Sequence, residues 1–235
     1  MSGNIANNFG SLPVVFSSGK GSILTDVNGK NYIDFVSGIG VNCLGHNHPK
    51  LVKAISDQAG KQIHISNYYN SDVGLAYSEK LLAASGMDKV FFCNSGAEAN
   101  ESAIKLARKY GFLKTQEEKS SVKRNVIVTL KKSFHGRTIT TLMATGQDKF
   151  HPESFAPYPE GFKTIPANDY GALETAFDNS VCALMIECVQ GEGGVNVIDE
   201  QWAKAASSAA RKSGAIVIAD EVQTGIGRTG TLFAS

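Results

Sequence analysis

Four apolar runs in this chain stop at side chains able to do chemistry. Run 89–92 (KVFF) leads to Asn94 and Ser95, and run 125–130 (NVIVTL) leads to Ser133, His135 and Arg137. Run 181–186 (VCALMI) leads to Glu187, and run 215–219 (AIVIA) leads to Asp220. A carboxylate at the end of a buried strand, as at Asp220, is unfavourable unless a cation or several donors meet it. Any strand must end in polar residues, so one such end means little. Four ends with charged or hydrogen-bonding side chains beside small residues mean more, because open α/β sheets bind ligands at the carboxyl ends of their strands.

The segments differ in what they offer. In "CNSGAEANESAIKLARKYG" (93–111), a small-residue turn opens a helix. Ser95, Gly96 and Ala97 leave little bulk over its first N–H groups, which suits an anion such as phosphate. A plain Ser95 N-cap with Glu98 three residues on explains the same letters, and both can hold at once. In "SFHGRT" (133–138), Phe134 can stack on a flat ligand and Arg137 can clamp a carboxylate. Taken singly, each is equally a core ring, a structural His or a surface Arg. In "IECVQGEGGV" (186–195), Glu192 lies in a Gly-rich turn that lets backbone approach a ligand or another segment. "GHNHP" (45–49) has two histidines but no carboxylate or Cys cluster, so no metal site is expected.

These ends need a scaffold. From residue 89 onward, strand-length apolar runs alternate with helical stretches, 97–110 and 201–212. Ala103, Ile104 and Ala107 form one apolar face, and Trp202, Ala205, Ala206 and Ala209 the other. Strands apolar throughout, 215–219 among them, predict burial on both faces in a mostly parallel sheet covered by helices. Residues 117–125 and 146–161 read as exposed loops. Ahead of these lie a Gly-rich segment, short β-like runs near 14–16, 22–26 and 31–35, and a hairpin whose Asn28-Gly29 pair predicts a type I′ turn. Pro49 opens a helix with Leu51, Val52, Ile55 and Ala59 on one face; Val73, Tyr77, Leu81 and Ala84 mark another.

Composition excludes several classes. The net charge is +1 with Lys and Arg scattered, so no basic stripe points to nucleic acid. The longest apolar runs are far short of a membrane span, and residues 1–16 lack the basic-then-apolar order of a signal peptide. Cys43, Cys93, Cys182 and Cys188 are widely spaced, which argues against a zinc site or a disulfide framework and makes the cytoplasm the expected compartment.

Together "NSGAEANESAIKLAR", "SFHGRT", "ECVQGEGG" and "ADEVQTGIGRTG", with "LGHNHP" and "RTGTLFA", resemble the class III pyridoxal-phosphate aminotransferases in order and spacing. The resemblance runs along the whole chain and is strongest to the branch acting on N2-acetylornithine. It implies an α/β fold: an incomplete fold-type I large domain over 61–235, preceded by an N-terminal segment over 1–60. It implies pyridoxal 5′-phosphate as cofactor. Asp220 then matches the partner of the pyridine nitrogen, and Ser95, Gly96 and Ala97 the phosphate turn. Phe134 matches the ring stacked on the cofactor, Val222 the apolar contact on the other face, and Gln223 the neighbour of the ring hydroxyl. Arg137 matches the Arg for the substrate carboxylate, and Glu192 the Glu that lets one pocket take both substrates. The implied reaction moves an amino group from N2-acetylornithine to 2-oxoglutarate in arginine biosynthesis, in a cytoplasmic homodimer. Ornithine, 4-aminobutyrate or succinylornithine are alternative donors.

Two departures accompany the resemblance. Cys188 stands where the family usually has Pro. The family's Schiff-base Lys follows the Asp220 segment by some tens of residues, whereas the last lysine here is Lys212. The expectation is that the 235 residues alone are inactive, either as the front part of an enzyme or as a non-catalytic truncated product.

Overall fold

The computed structural model describes residues 4–6, 8–10 and 12–235; part of the segment 1–16 thus lies outside the described residues. The chain divides into two units, Met1–Glu79 and Lys80–Ser235.

The first unit holds an antiparallel sheet of β1 (Phe16–Lys20), β2 (Ile23–Asp26) and β3 (Asn31–Ile33). The β2–β3 hairpin forms, but its turn is not type I′. Gly29 has φ 83 while Asn28 is not among the left-handed residues. Asp26 decides this: its Oδ1 accepts the N–H groups of Asn28 and Lys30 at 2.9 Å each, and Gly29 N–H returns to Asp26 O. A side chain therefore folds the turn that a dipeptide preference assigned elsewhere. A left-handed turn, α1 (Ser37–Gly40), follows. Helix α2 (Pro49–Ala59) begins at the proline as expected, though its Leu51, Val52 and Ile55 stay exposed. His46 Nε2 lies 2.7 Å from Asp34 Oδ2, so the "GHNHP" segment is engaged with a carboxylate. Helix α3 (Asp72–Ser85) spans the division between the units.

The second unit carries α4 (Gly96–Glu117), β4 (Val126–Leu130), α5 (Ile139–Ala144), β5 (Phe162–Ile165), α6 (Tyr170–Glu174) and β6 (Val181–Ile186). A small ladder of β7 (Val189–Gln190) and β8 (Asn196–Val197) precedes α7 (Glu200–Lys212) and β9 (Ile216–Ala219). The main sheet has the order β5-β4-β6-β9 and is parallel throughout. All of β6 is buried, as a strand covered on both faces must be. On one face Val128, Leu130, Leu184 and Ile186 pack against Trp202, Ala206 and Ala210 of α7. On the other, Ile127, Ala183 and Met185 meet Ile104 and Ala107 of α4. Trp202 is fully buried; truncating so large a side chain to Ala removes about 3–5 kcal/mol.

Three expectations change. Residues 89–92 form no strand, and Phe91 and Phe92 are exposed. β9 is an outer strand of the sheet, so 216–218 are half-buried and Ala219 exposed rather than covered on both faces. β5 arises from residues with no run of apolar letters, drawn into the sheet by parallel pairing of Ile127 to Phe162 and Leu130 to Ile165. No helix among the described residues is long and apolar enough to cross a membrane.

Candidate active site

Parallel strands bring their carboxyl ends to one edge of the sheet, and here that edge collects Asp220, His135 and Glu187. Asp220 follows β9, and its N–H donates to Ile186 O at 2.7 Å. Its carboxylate is 5% exposed and meets three donors. Oδ2 accepts from His135 Nδ1 at 2.7 Å and from Asn100 Nδ2 at 2.8 Å; Oδ1 accepts from Val222 N–H at 3.0 Å. Burial pushes this carboxyl up, but the His135 hydrogen bond and charge, the Val222 N–H and the Asn100 amide outweigh it, and Asp220 titrates below its usual range. It is a buried carboxylate that stays charged.

His135 is held through its main-chain N–H and carbonyl and through Nδ1 of its ring. Its N–H donates to Thr145 Oγ1 at 2.9 Å and its carbonyl accepts from Asn100 Nδ2 at 2.7 Å. Because a carboxylate only accepts, Nδ1 carries the proton. Nε2 is buried with no partner among the described residues.

Glu187, after β6, is 4% exposed, and its Oε2 accepts the Phe134 N–H at 3.0 Å. Burial raises its carboxyl to about 7, helped by the charges of Asp220 and Glu192 and opposed by His135 and the Phe134 N–H. The Phe134 ring meets Phe150 edge-on, with centroids 5.4 Å apart. The Arg137 guanidinium lies 4.9 Å from the Phe150 centroid and 5.9 Å from that of Phe134. Lys149 Nζ reaches Glu192 Oε1 at 3.2 Å, and Gln147 Nε2 also donates to Glu192. The turn Asp148–Phe150 thus links Arg137 and Glu192 through neighbouring side chains.

The start of α4 completes the edge. Ser95 is the N-cap: its Oγ accepts the Glu98 N–H at 3.2 Å, while Glu98 Oε2 accepts the Asn94 N–H at 2.8 Å. The capping explanation is therefore realised, with its return arm one residue earlier than the usual box. Gly96 N–H and Ala97 N–H, at the first two positions of α4, have no intrahelical acceptor by geometry. Gly96 is required by contact: a Cβ there would come 2.7 Å from Val222 Cγ1. Ala97 packs beside Gly136, where a Cβ would fall 3.0 Å from the Ala97 Cβ. Gln223 lies against Gly191.

The structure therefore gathers Ser95, Gly96, Ala97, Phe134, Asp220, Val222 and Gln223 around the sheet edge. Arg137 and Glu192 stand together at the Asp148–Phe150 turn, and Glu192 is already occupied by Lys149. Sequence reasoning overlooked Asn100, Glu187 as the holder of Phe134, and Lys149. Asn100 had a signal: it falls on the stripe 100, 104, 107, 111, all buried, where a polar residue must find partners. Lys149 had none, since its partner is 43 residues away.

Comparison with known proteins places the chain in a family. The class-III aminotransferase family model matches residues 4–235. An acetylornithine aminotransferase of Methanocaldococcus jannaschii is 48% identical over 226 residues, 96% of this chain and 55% of that protein. An ornithine aminotransferase structure from Toxoplasma gondii superposes with TM-score 0.90 at 35% identity, covering 98% of this chain and 54% of that one. An N-acetylornithine aminotransferase structure from Stenotrophomonas maltophilia gives TM-score 0.79 at 39% identity, covering 97% and 56%. The chain spans a little over half the length of these relatives.

Proposed function

The chain belongs to the class-III aminotransferases, and we propose that the protein carrying it moves the amino group of N2-acetylornithine to 2-oxoglutarate, using pyridoxal 5′-phosphate. The carrying observation is Asp220, a buried charged carboxylate fixed by three donors at the end of β9. Such a group suits a protonated ring nitrogen. The residues fit this cofactor in two further ways. Glycine at position 96 lets the start of α4 close against Val222, which a Cβ would meet at 2.7 Å, and the adjoining N–H groups with the α4 dipole suit a phosphate. When bound, pyridoxal phosphate supplies an electron sink for the carbon whose C–H bond breaks.

Each of the chain's own residues then has a role. Asp220 holds the ring nitrogen protonated, with His135 fixing the carboxylate. Gly96 and Ala97 bind phosphate through N–H, beside the Ser95 cap. Phe134, held by Glu187, and Val222 would hold the cofactor ring between them by apolar contact, and Gln223 would serve its hydroxyl. Arg137 orients the substrate carboxylate. Glu192 exchanges between Lys149 and the incoming substrate, so that one pocket accepts both partners.

Identity favours acetylornithine as donor, whereas the higher TM-score belongs to an ornithine enzyme. We weigh identity more, because fold similarity is shared by enzymes of different substrate. Steady-state kcat/KM of the full-length protein with N2-acetylornithine, ornithine, 4-aminobutyrate and succinylornithine tests this. At least tenfold preference for acetylornithine is expected; preference for ornithine would establish the second reading. The same proposal makes residues 61–235 part of the cofactor-binding domain and residues 1–60 the N-terminal segment, within a cytoplasmic homodimer serving arginine biosynthesis. A polypeptide of these 235 residues alone, with no lysine after Lys212, is proposed not to transaminate.

A further inference from the structure

We propose that Asn100 is a positioning residue, which from its place on α4 orients the carboxylate of Asp220 toward the ring-nitrogen end of the cofactor site. The inference rests on Asp220 and α4 holding the two ends of pyridoxal phosphate. Asn100 is 5% exposed, and its Nδ2 donates both to Asp220 Oδ2 at 2.8 Å and to His135 O at 2.7 Å. One amide thus joins α4, the segment after β4 and the segment after β9. Asn100 lies four residues after Gly96, about one helical turn or roughly 6 Å along a rigid α-helix. The N–H groups at Gly96 and Ala97 and the amide on Asp220 therefore move as one body.

The same amide works on charge. Asp220 is buried and paired with His135 at 2.7 Å. A hydrogen bond donated to the charged form of a buried carboxylate favours that form. His135 alone leaves the carboxylate free to turn about a single contact. With Val222 N–H on Oδ1 and Asn100 on Oδ2, both oxygens are held.

The test is fluorescence titration of the full-length protein, with pyridoxal phosphate and with its 1-deaza analogue, in which a CH replaces the ring nitrogen. Melting temperatures are recorded in parallel. Asn100→Ala is expected to weaken pyridoxal phosphate at least tenfold but the deaza analogue less than threefold. Asn100→Asp, equal in shape, is expected to weaken pyridoxal phosphate further, because it sets a second carboxylate beside Asp220; it also keeps the comparison available if the Ala variant does not fold. Equal losses for the two ligands would reduce Asn100 to a packing role and overturn the proposal, as would unchanged binding in both variants. Wild-type protein that binds neither ligand, or both equally, would overturn the reading of Asp220 itself, and this inference with it.

Discussion

His135 Nδ1 lies 2.7 Å from Asp220 Oδ2, a contact between residues 85 apart in sequence that joins the segment after β4 to the end of β9. Both side chains are almost wholly buried. The imidazole is oriented by this bond, and the carboxylate keeps its charge through it. The chemistry proposed for the site depends on that charge.

Asp220→Asn should therefore cut turnover of the full-length protein by about a hundredfold or more, since losing a charge-assisted interaction of a few kcal/mol raises the barrier accordingly. An amide keeps the shape, but its NH2 must face one of the donors that now meet both carboxylate oxygens, so the fold should persist with a lowered thermal midpoint. Measuring kcat beside a melting curve checks this; near-normal kcat would remove Asp220 from its role as partner of the ring nitrogen.

Arg137 is exposed, above the Phe150 ring. Arg137→Ala should lower kcat/KM for both the amino donor and 2-oxoglutarate by roughly ten- to a hundredfold, because each presents a carboxylate. Stability should hardly change. A lowered melting temperature with intact kinetics would mark Arg137 as structural instead.

Glu187 gives a pH prediction. Its carboxyl is raised from 4.5 to about 7 in the folded chain. Below about pH 4.5 it is protonated in both folded and unfolded states. Between there and about pH 7 unfolding releases a proton, so rising pH erodes stability; above about pH 7 the loss is complete. Glu187→Gln removes the titration and keeps an acceptor for the Phe134 N–H. Its stability relative to wild type should grow between pH 5 and 8, by up to about 3 kcal/mol. Urea midpoints across that range would show it, and a flat difference would refute it.

Ser95 separates capping from ligand binding. Its Oγ caps the Glu98 N–H without any ligand, so Ser95→Ala should destabilise the cofactor-free protein by about 1 kcal/mol. Unchanged stability with weakened pyridoxal-phosphate affinity would assign the hydroxyl to the phosphate alone.

Local chemistry made much of this protein legible in its sequence. Run 181–186 is apolar throughout and run 126–130 is broken only by Thr129, the pattern of strands covered by helices on both faces. Pro49 and Ser95 mark helix starts because each solves the problem of unpaired N–H groups where it stands. Asp220 drew attention because a carboxylate ending an apolar run must find donors.

Tertiary structure decided the rest. Residues 89–92 and 215–219 look alike as apolar runs, yet only the second gained a strand neighbour in β6, and a run's letters do not say which edge of a sheet it will face. β5 exists because β4 offers it a parallel ladder. The partners of Asp220 come from positions 120 and 85 residues away, and Glu192 is met by Lys149 from across a loop. Periodicity and capping act over a few residues, so they leave a trace in the letters. Strand order and side-chain pairing are set by how whole elements bury their faces, and that is determined only when the chain has closed on itself.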